Sequence, residues 1–192
     1  MIYLASQSLR RAELLQQIGV PFQKLRCSID ETPLQDETPT SYVKRMAQEK
    51  ADEGWKTLQR QSLPPLPLLA SDTTVVCDGR ILGKPLNRLE AKAMLKSLSG
   101  RTHQVITAVT VTNGKDTRTK NVVTDVLFLP LSDHTIEQYI LTGEPDDKAG
   151  AYGIQGKGAL LVDRMSGSYS SVVGLPLTET AELLESFHVT VW

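Results

Sequence analysis

Two long β segments joined by an Asn-Gly turn constrain the fold of this chain more than any other feature. The segments are "HQVITAVTVT" at residues 103–112 and "TKNVVTDVLFLP" at residues 119–130, and Asn113-Gly114 lies between them. Asn-Gly is favoured in tight hairpin turns because these turns need positive φ at their central positions. The sequence therefore predicts a hairpin of two long antiparallel strands in the sheet of this protein.

The rest of the chain alternates strands with amphipathic helices. Strands are predicted at residues 1–5 and 21–29, a hairpin that turns at Asp78-Gly79 is predicted within 68–85, and the glycine-rich region 149–158 is expected to lead into two short strands. Helices are predicted at 8–18, 38–55, 87–98, 132–141 and 176–187. Local hairpins beside crossover connections predict an α/β fold with a mixed sheet flanked by helices.

Length and charge exclude several classes of protein. A chain of 192 residues suits one large domain or two small lobes that share a core. The net charge of −1 draws the molecule neither to nucleic acid nor to a membrane surface, so any anion site must be local. No apolar run reaches the length of a membrane span, and Cys27 and Cys77 are predicted to be buried thiols in a reduced compartment. We therefore expect a cytoplasmic protein.

The first strand-to-helix turn carries hydroxyl and guanidinium groups. The segment is "LASQSLRRAELL" at residues 4–15, and it contains Ser6, Ser8, Arg10 and Arg11. A helix N-terminus and its free N–H groups favour an anion such as phosphate. The alternative is a capped helix with a solvated basic face, and this segment alone does not decide between the two.

Carboxylates and lysines occur at unusual places farther along the chain. Glu31 follows a predicted strand, and Asp72 interrupts an apolar stretch, where a buried carboxylate needs a partner or a metal. The alternative for Asp72 is a local turn completed by Thr73, but the flanking β residues leave little reason for one. Lys50 and Lys84, taken singly, are typical of solvated surface charges.

Several familiar catalytic motifs are absent from the sequence. It has neither a phosphate-binding P-loop, nor a dinucleotide-binding G-x-G-x-x-G after a strand, nor a G-x-S-x-G elbow, and its three histidines are scattered. The segment "EPDDKAGAYGIQGKG" at 144–158 combines acids, a lysine and glycines that allow backbone close to a ligand. Its alternative interpretation is a flexible surface loop.

Together these segments resemble the Maf family of nucleoside triphosphate pyrophosphatases over essentially the whole chain. Its dTTP/UTP pyrophosphatase branch, for which the "AGAYGIQG" loop is typical, is the most similar. The motifs that carry the resemblance occur in the family's order: "LASQSLRRAELL", "DETP", "QEKA", "ASDTTV", "GKP", "THQVITAV", "EPDDKAGAYGIQGKG" and "GSYSSVVGLPL". Leu9 departs from the proline that is usual after the second serine, which should loosen the first helical turn slightly.

The resemblance implies a fold, an activity and partners. The fold would be a long bent mixed β-sheet flanked by helices, with two lobes around a cleft as in inosine triphosphate pyrophosphatase. Residues 1–192 would form one domain whose lobes share a core. A homodimer using Mg²⁺, Mn²⁺ or Co²⁺ would hydrolyse dTTP and UTP, and also modified pyrimidine triphosphates, to the monophosphate and pyrophosphate. Family members are also linked to arrest of septum formation, so the cellular role would be nucleotide pool cleaning, division control or both.

The resemblance also implies a role for individual residues. Four residues match the phosphate-binding motif: Ser6, Ser8, Arg10 and Arg11. Glu31 and Asp72 match metal-site carboxylates, and Asp72 also matches the residue that accepts a proton from the attacking water. Lys50 and Lys84 match catalytic lysines. The positions that set base preference are matched by Arg10, Thr73 and Gln155.

The residue chemistry supports this assignment and leaves two alternatives. The Gln155 amide carries both a donor and an acceptor, so it can pair with the edge that uracil and thymine share. A haloacid-dehalogenase-type phosphatase would need Asp-x-Asp, but Ala70 stands where the first aspartate belongs. The other alternative is a non-catalytic nucleotide-binding regulator of septum formation, which would have no need of Asp72.

Overall fold

The structure is a computed structural model and describes residues 1–191. Its seven strands are β1 (Ile2–Leu4), β2 (Phe22–Lys24), β3 (Leu68–Cys77), β4 (Arg80–Leu82), β5 (Thr102–Thr112), β6 (Thr117–Phe128) and β7 (Val162–Ser166). Its six α-helices are α1 (Leu9–Gln17), α2 (Pro39–Arg60), α3 (Arg88–Leu98), α4 (Asp133–Leu141), α5 (Tyr169–Val173) and α6 (Leu177–Ser186). Three short 3₁₀ helices lie at Glu144–Asp147, Ala149–Ala151 and Gly156–Leu161.

The strands form one mixed sheet. Its order is β2-β1-β3-β5-β6-β7, and β4 pairs with β3 beside this path. The pairs β1–β2 and β1–β3 are parallel, whereas β3–β4 and β6–β7 are antiparallel. The predicted class, an α/β fold with a mixed sheet flanked by helices, is confirmed. In the described part of the chain, no helix is both long and apolar enough to cross a membrane.

The turn between β5 and β6 uses the Asn-Gly signal in a longer form than the tightest hairpin. Four residues, 113–116, separate the two strands. The Asn113 side chain accepts hydrogen bonds from the N–H groups of Lys115 (3.0 Å) and Asp116 (2.8 Å). Gly114 has a φ of +83°, and a Cβ at this position would clash with the indole of Trp55. The side chain of Asn113 therefore stabilises the turn, and Gly114 leaves room for the indole ring of Trp55.

The chain divides into two compact units, and the first contains residues 1–72, 107–122 and the described chain from Gly174 onward. One of its hydrophobic clusters joins β1, β3 and α2. Gly54 of α2 permits this packing, because a Cβ there would lie 2.8 Å from Ala5 and 2.9 Å from Leu68. Because glycine has no side chain, α2 can lie close to the two strands. This close packing fixes the position of the polar residues of α2 relative to the sheet.

The second unit contains residues 73–106 and 123–173. Its hydrophobic cluster contains Phe128 and Tyr152, and the ring of His103 makes edge-to-face contacts with both. Burial lowers the pKa of His103 to about 4, so the ring is neutral at physiological pH and accepts or donates one hydrogen bond with the Tyr152 hydroxyl at 2.7 Å. This histidine is a core residue.

Local chemistry explains where the observed elements differ from the predicted ones. Strand β2 covers only three residues of the predicted 21–29, and α2 continues past residue 55 to Arg60, because Leu58 extends its buried face. Of the two short strands expected after the glycine-rich region, one is confirmed as β7, whereas the second is wrong because α5 follows β7 instead. Cys77 is buried as predicted, whereas Cys27 is only half-buried, and both thiols are free.

Candidate active site

Two serine hydroxyls and one arginine form a hydrogen-bond network at the turn before α1. Ser8 is the N-cap of α1, and its hydroxyl accepts the N–H of Arg11 at 3.4 Å. The buried Ser6 hydroxyl accepts the N–H of Ser8 at 3.2 Å and the Nη1–H of Arg11 at 3.3 Å. The helix begins at Leu9 without the proline that is usual there, since the serine cap is sufficient to start it.

Arg11 points inward and not into solvent. Its Nε–H donates to the carbonyl oxygen of Gly174 at 2.8 Å, and the Ser71 hydroxyl donates to the same oxygen at 3.1 Å. Burial lowers the pKa of the guanidinium, the nearby Asp72 carboxylate opposes this shift, and the charge of Arg10 adds to it. The interpretation of Arg11 as a solvated surface charge is therefore wrong.

Lys50 joins two carboxylates that are far apart in the sequence. Its ammonium lies 2.6 Å from Asp72 Oδ1 and 2.6 Å from Glu31 Oε1. The side chains of Asp72 and Lys50 are 12% and 16% exposed, and that of Glu31 is 49% exposed. Asp72 lies inside β3 and not in a turn, so the alternative of a local cap is wrong. Its partner is a lysine from α2.

The loop that carries Glu31 is held by α2. The Tyr42 hydroxyl donates to the carbonyl oxygen of Glu31 at 2.9 Å, and Arg45 donates to that of Thr32 at 3.1 Å. Arg45 also binds both carboxylate oxygens of Glu37 at 2.7 Å. These bonds fix the middle and the end of the loop against one helix, so a half-exposed carboxylate keeps a defined position.

Glu31 and Asp72 are the candidate ligands for a divalent metal. Their oxygens are hard ligands, and both lie 2.6 Å from the ammonium group of Lys50. The negative charge of the two carboxylates is also felt by Tyr42, since burial together with the charges of Asp72 and Glu31 raises the pKa of its hydroxyl to about 12. Over residues 1–191 there is no group of three or more His, Cys, Asp or Glu residues that could hold a metal. Two carboxylates are nevertheless what Mg²⁺ uses when substrate phosphates and water complete its coordination.

Three of the predicted site residues belong to the second unit. Thr73 follows Asp72 in β3, and Lys84 is exposed just after β4. Gln155 is exposed at the N-cap position of the 3₁₀ helix Gly156–Leu161, and its side chain makes no capping hydrogen bond there. In the first unit the structure brings together six of the other seven predicted residues, which are Ser6, Ser8, Arg11, Glu31, Lys50 and Asp72. The seventh, Arg10, is a half-buried residue in the first turn of α1.

Some residues that shape the site have only a weak signal in the sequence. Ser71 and Gly174 orient Arg11 through one carbonyl oxygen, and a backbone atom leaves no mark on residue type. Tyr42 and Arg45 resemble any polar residues on a helix surface. Asp30, which precedes Glu31, closes a local turn by accepting the N–H of Thr32 at 2.9 Å and its hydroxyl at 2.6 Å.

The fold and this geometry first define a class of protein: a mixed α/β protein with cations and carboxylates clustered near a strand-to-helix turn. The sequence then matches the family model for Maf-like proteins over residues 1–187. This chain belongs to the Maf family, as its motifs predict, and the haloacid-dehalogenase-type alternative is not supported.

Curated relatives cover the chain almost completely. A dTTP/UTP pyrophosphatase of Aromatoleum aromaticum is 50% identical over 97% of this chain and 95% of its own length. Those of Chromobacterium violaceum and Nitrosomonas europaea are also 50% identical, over 97% and 100% of this chain and 94% and 96% of their own lengths. The similarity therefore includes every segment that contributes to the candidate site.

Proposed function

We propose that this protein is a nucleoside triphosphate pyrophosphatase that hydrolyses dTTP and UTP to the monophosphate and pyrophosphate. The observation that carries the proposal is the 50% identity, over nearly the full length of both chains, to proteins named dTTP/UTP pyrophosphatase. The geometry of the first unit supports it, because a half-buried arginine, a lysine and two carboxylates suit a charged phosphate substrate and its hydrolysis.

Binding of the triphosphate would use local positive charge. A triphosphate carries about four negative charges, whereas the whole chain has a net charge of −1, so cations must be concentrated where the phosphates lie. Arg11 presents a guanidinium oriented by the Gly174 carbonyl, and Ser6 and Ser8 stand at the N-terminus of α1. We assign phosphate binding to these residues together with Arg10 and Lys84.

Asp72 is the residue to which we assign the proton transfer. Its carboxylate is mostly buried, and Lys50 holds it in one orientation from 2.6 Å. In the proposed reaction Asp72 takes a proton from water as the water attacks the α-phosphorus, the bond between the α-phosphorus and the bridging oxygen breaks, and pyrophosphate leaves. Glu31 and Asp72 would hold Mg²⁺, Mn²⁺ or Co²⁺, which when bound neutralises phosphate charge and lowers the pKa of its water.

We assign base preference to Gln155 first of all. The Gln155 side chain is exposed and not used in capping, so its amide is available to pair with the N3–H and O4 of uracil or thymine. A 5-methyl group lies off that edge, which explains how one amide would accept both bases and their 5-modified forms. The family resemblance also assigns base preference to Thr73 and Arg10.

The cellular setting of the enzyme is also part of the proposal. We assign it to the cytoplasm, as a homodimer of single-domain chains that acts in nucleotide pool cleaning and cell-division control. This assignment rests on the family resemblance. The alternative, a regulator of septum formation that binds nucleotides without hydrolysing them, is not favoured, because the relatives are named for a hydrolytic activity.

The test is pyrophosphate release from a panel of nucleoside triphosphates with Mg²⁺, Mn²⁺ or Co²⁺, and with a chelator. We expect rapid release from dTTP and UTP only, none with the chelator, and a loss of about 10³-fold or more in Asp72→Asn. The matched control is Asp52→Asn, an exposed aspartate of α2 that should keep full activity. Tight nucleotide binding without pyrophosphate release would instead favour the regulator.

A further inference from the structure

The carboxylate of Glu144 grips the segment that carries Gln155. One oxygen accepts the N–H of Lys157 at 2.9 Å and the other accepts the N–H of Gly158 at 3.1 Å. Burial raises the pKa of Glu144, but these two bonds and one from the Tyr139 hydroxyl outweigh it, so the net pKa is lowered. Glu144 is therefore a carboxylate at physiological pH, with both oxygens used.

These two N–H groups are the ones that an N-cap side chain normally binds. Gln155 is the N-cap of the 3₁₀ helix Gly156–Leu161, so Lys157 and Gly158 occupy its second and third positions. N-cap side chains usually accept hydrogen bonds from these positions. Here the side chain of Gln155 accepts neither N–H, and Glu144 caps the helix from a different segment. The Gln155 amide is consequently not needed as the capping group.

The surrounding contacts leave this segment little freedom to move away. A Cβ at Gly158 would collide with the Gly153 carbonyl oxygen and lie 2.7 Å from the Tyr139 hydroxyl. That hydroxyl accepts the N–H of Gly153 at 3.2 Å. The Lys148 ammonium donates to the carbonyl oxygen of Glu144 itself at 2.7 Å, so the capping residue is held at its backbone as well.

We propose that Glu144 is a positioning residue for base specificity, which caps the 3₁₀ helix so that the Gln155 amide stays available to the nucleobase. The inference deepens the proposed function and rests on it. Without the carboxylate, the N–H groups of Lys157 and Gly158 lose their acceptor, and the side-chain oxygen of Gln155 is the nearest replacement along the chain. Capping and base pairing then compete for one amide.

The experiment compares kcat/KM for UTP with that for CTP, whose base lacks the N3–H donor. Glu144→Ala should lower this ratio about tenfold, which corresponds to the loss of about one hydrogen bond's net contribution. Asp146→Asn, an exposed neighbour in the same segment, is the control and should leave the ratio unchanged. Glu144→Gln keeps one acceptor and loses the charge, so its ratio should fall by a smaller factor.

A double variant separates a positioning role from a merely structural one. If Glu144 acts through Gln155, then Gln155→Ala alone should abolish the UTP preference, and adding Glu144→Ala should change the ratio no further. Equal loss of kcat/KM for both nucleotides in Glu144→Ala would overturn the inference, as would additive effects in the double variant. If Glu144→Ala fails to fold, an unchanged ratio in Glu144→Gln overturns it.

The wild-type enzyme distinguishes this inference from the proposed function. A wild type that hydrolyses UTP no faster than CTP contradicts the proposed substrate preference itself. A wild type with the preference, combined with a variant ratio that does not move, contradicts only the role of Glu144.

Discussion

Replacing Lys50 with methionine tests whether one ammonium group holds Glu31 and Asp72 together. Methionine keeps much of the length and apolar character of the lysine side chain but has no charge. In the native protein the two carboxylate oxygens lie at most twice 2.6 Å apart, because each is 2.6 Å from the same Nζ. In Lys50→Met the two negative charges face each other without a cation between them.

The cost follows from how exposed each group is. Breaking a fully buried ion pair by removing one partner costs about 3–5 kcal/mol, whereas an exposed pair contributes about 0–1 kcal/mol. Asp72 is 12% exposed, but Glu31 is 49% exposed and its share is reduced by solvent screening. We therefore expect Lys50→Met to lower the free energy of unfolding by about 2 kcal/mol, or Tm by about 5 °C for a chain of this size.

Thermal and urea unfolding at pH 7 measure this effect. Lys44→Met is the matched control, since Lys44 is an exposed lysine of the same helix, and its effect should stay within about 0.5 kcal/mol. Adding Glu31→Gln to Lys50→Met should restore part of the lost stability, because it removes one of the two like charges. Mn²⁺ should stabilise Lys50→Met more than the wild type.

The reasoning fails if Lys50→Met is as stable as the wild type. It also fails if Glu31→Gln destabilises the Lys50→Met protein further, since the two carboxylates would then not repel each other. Either result would mean that Lys50 does not bridge them in solution.

Two further predictions concern the loop that carries Glu31 and the β5–β6 turn. Arg45 holds the pKa of Glu37 at about 2, below its ordinary value of 4.5, so the pair's contribution to stability is present above pH 4.5 and is lost as the pH falls toward 2. Glu37→Gln should therefore have a lower free energy of unfolding than the wild type at pH 7. Urea unfolding should show this difference narrowing below pH 4.5, and a difference that grows on acidification would contradict the assignment. Gly114→Ala should cost about 1–3 kcal/mol and shift the fluorescence of Trp55, because the new methyl meets the indole. Gly79→Ala, with a φ of +74° and nothing within 4 Å of the new Cβ, should cost less, and equal costs would show that backbone strain alone is responsible.

Features set by neighbouring residues could be predicted from the sequence. Three helix starts show this: Thr38, Asn87 and Ser132 are N-caps, and each side chain accepts an N–H three residues later. Asp72 was also predictable as a buried carboxylate in need of a partner, since it interrupts an apolar strand. In each case the decisive interaction lies within a few residues along the chain or follows from burial.

Features set by distant residues could not. The 3₁₀ helix after Gln155 was not predicted, because the carboxylate that binds its N–H groups belongs to Glu144, in an earlier segment. The choice of Lys50 as the partner of Asp72 depends on how closely Gly54 lets α2 approach the sheet. The expected lobes around a cleft, the metal and the residue roles stay predictions.

The carbonyl of Gly174 makes the orientation of a side chain near the start of the chain depend on a residue far along it. Arg11 lies in the first helix, yet the oxygen that orients its guanidinium belongs to a residue 163 positions later. A ribosome must release residue 174 before Arg11 can adopt this orientation, so the guanidinium of a growing chain stays without this acceptor through most of translation. Proteolytic removal of the segment from Gly174 onward would return Arg11 to the same state.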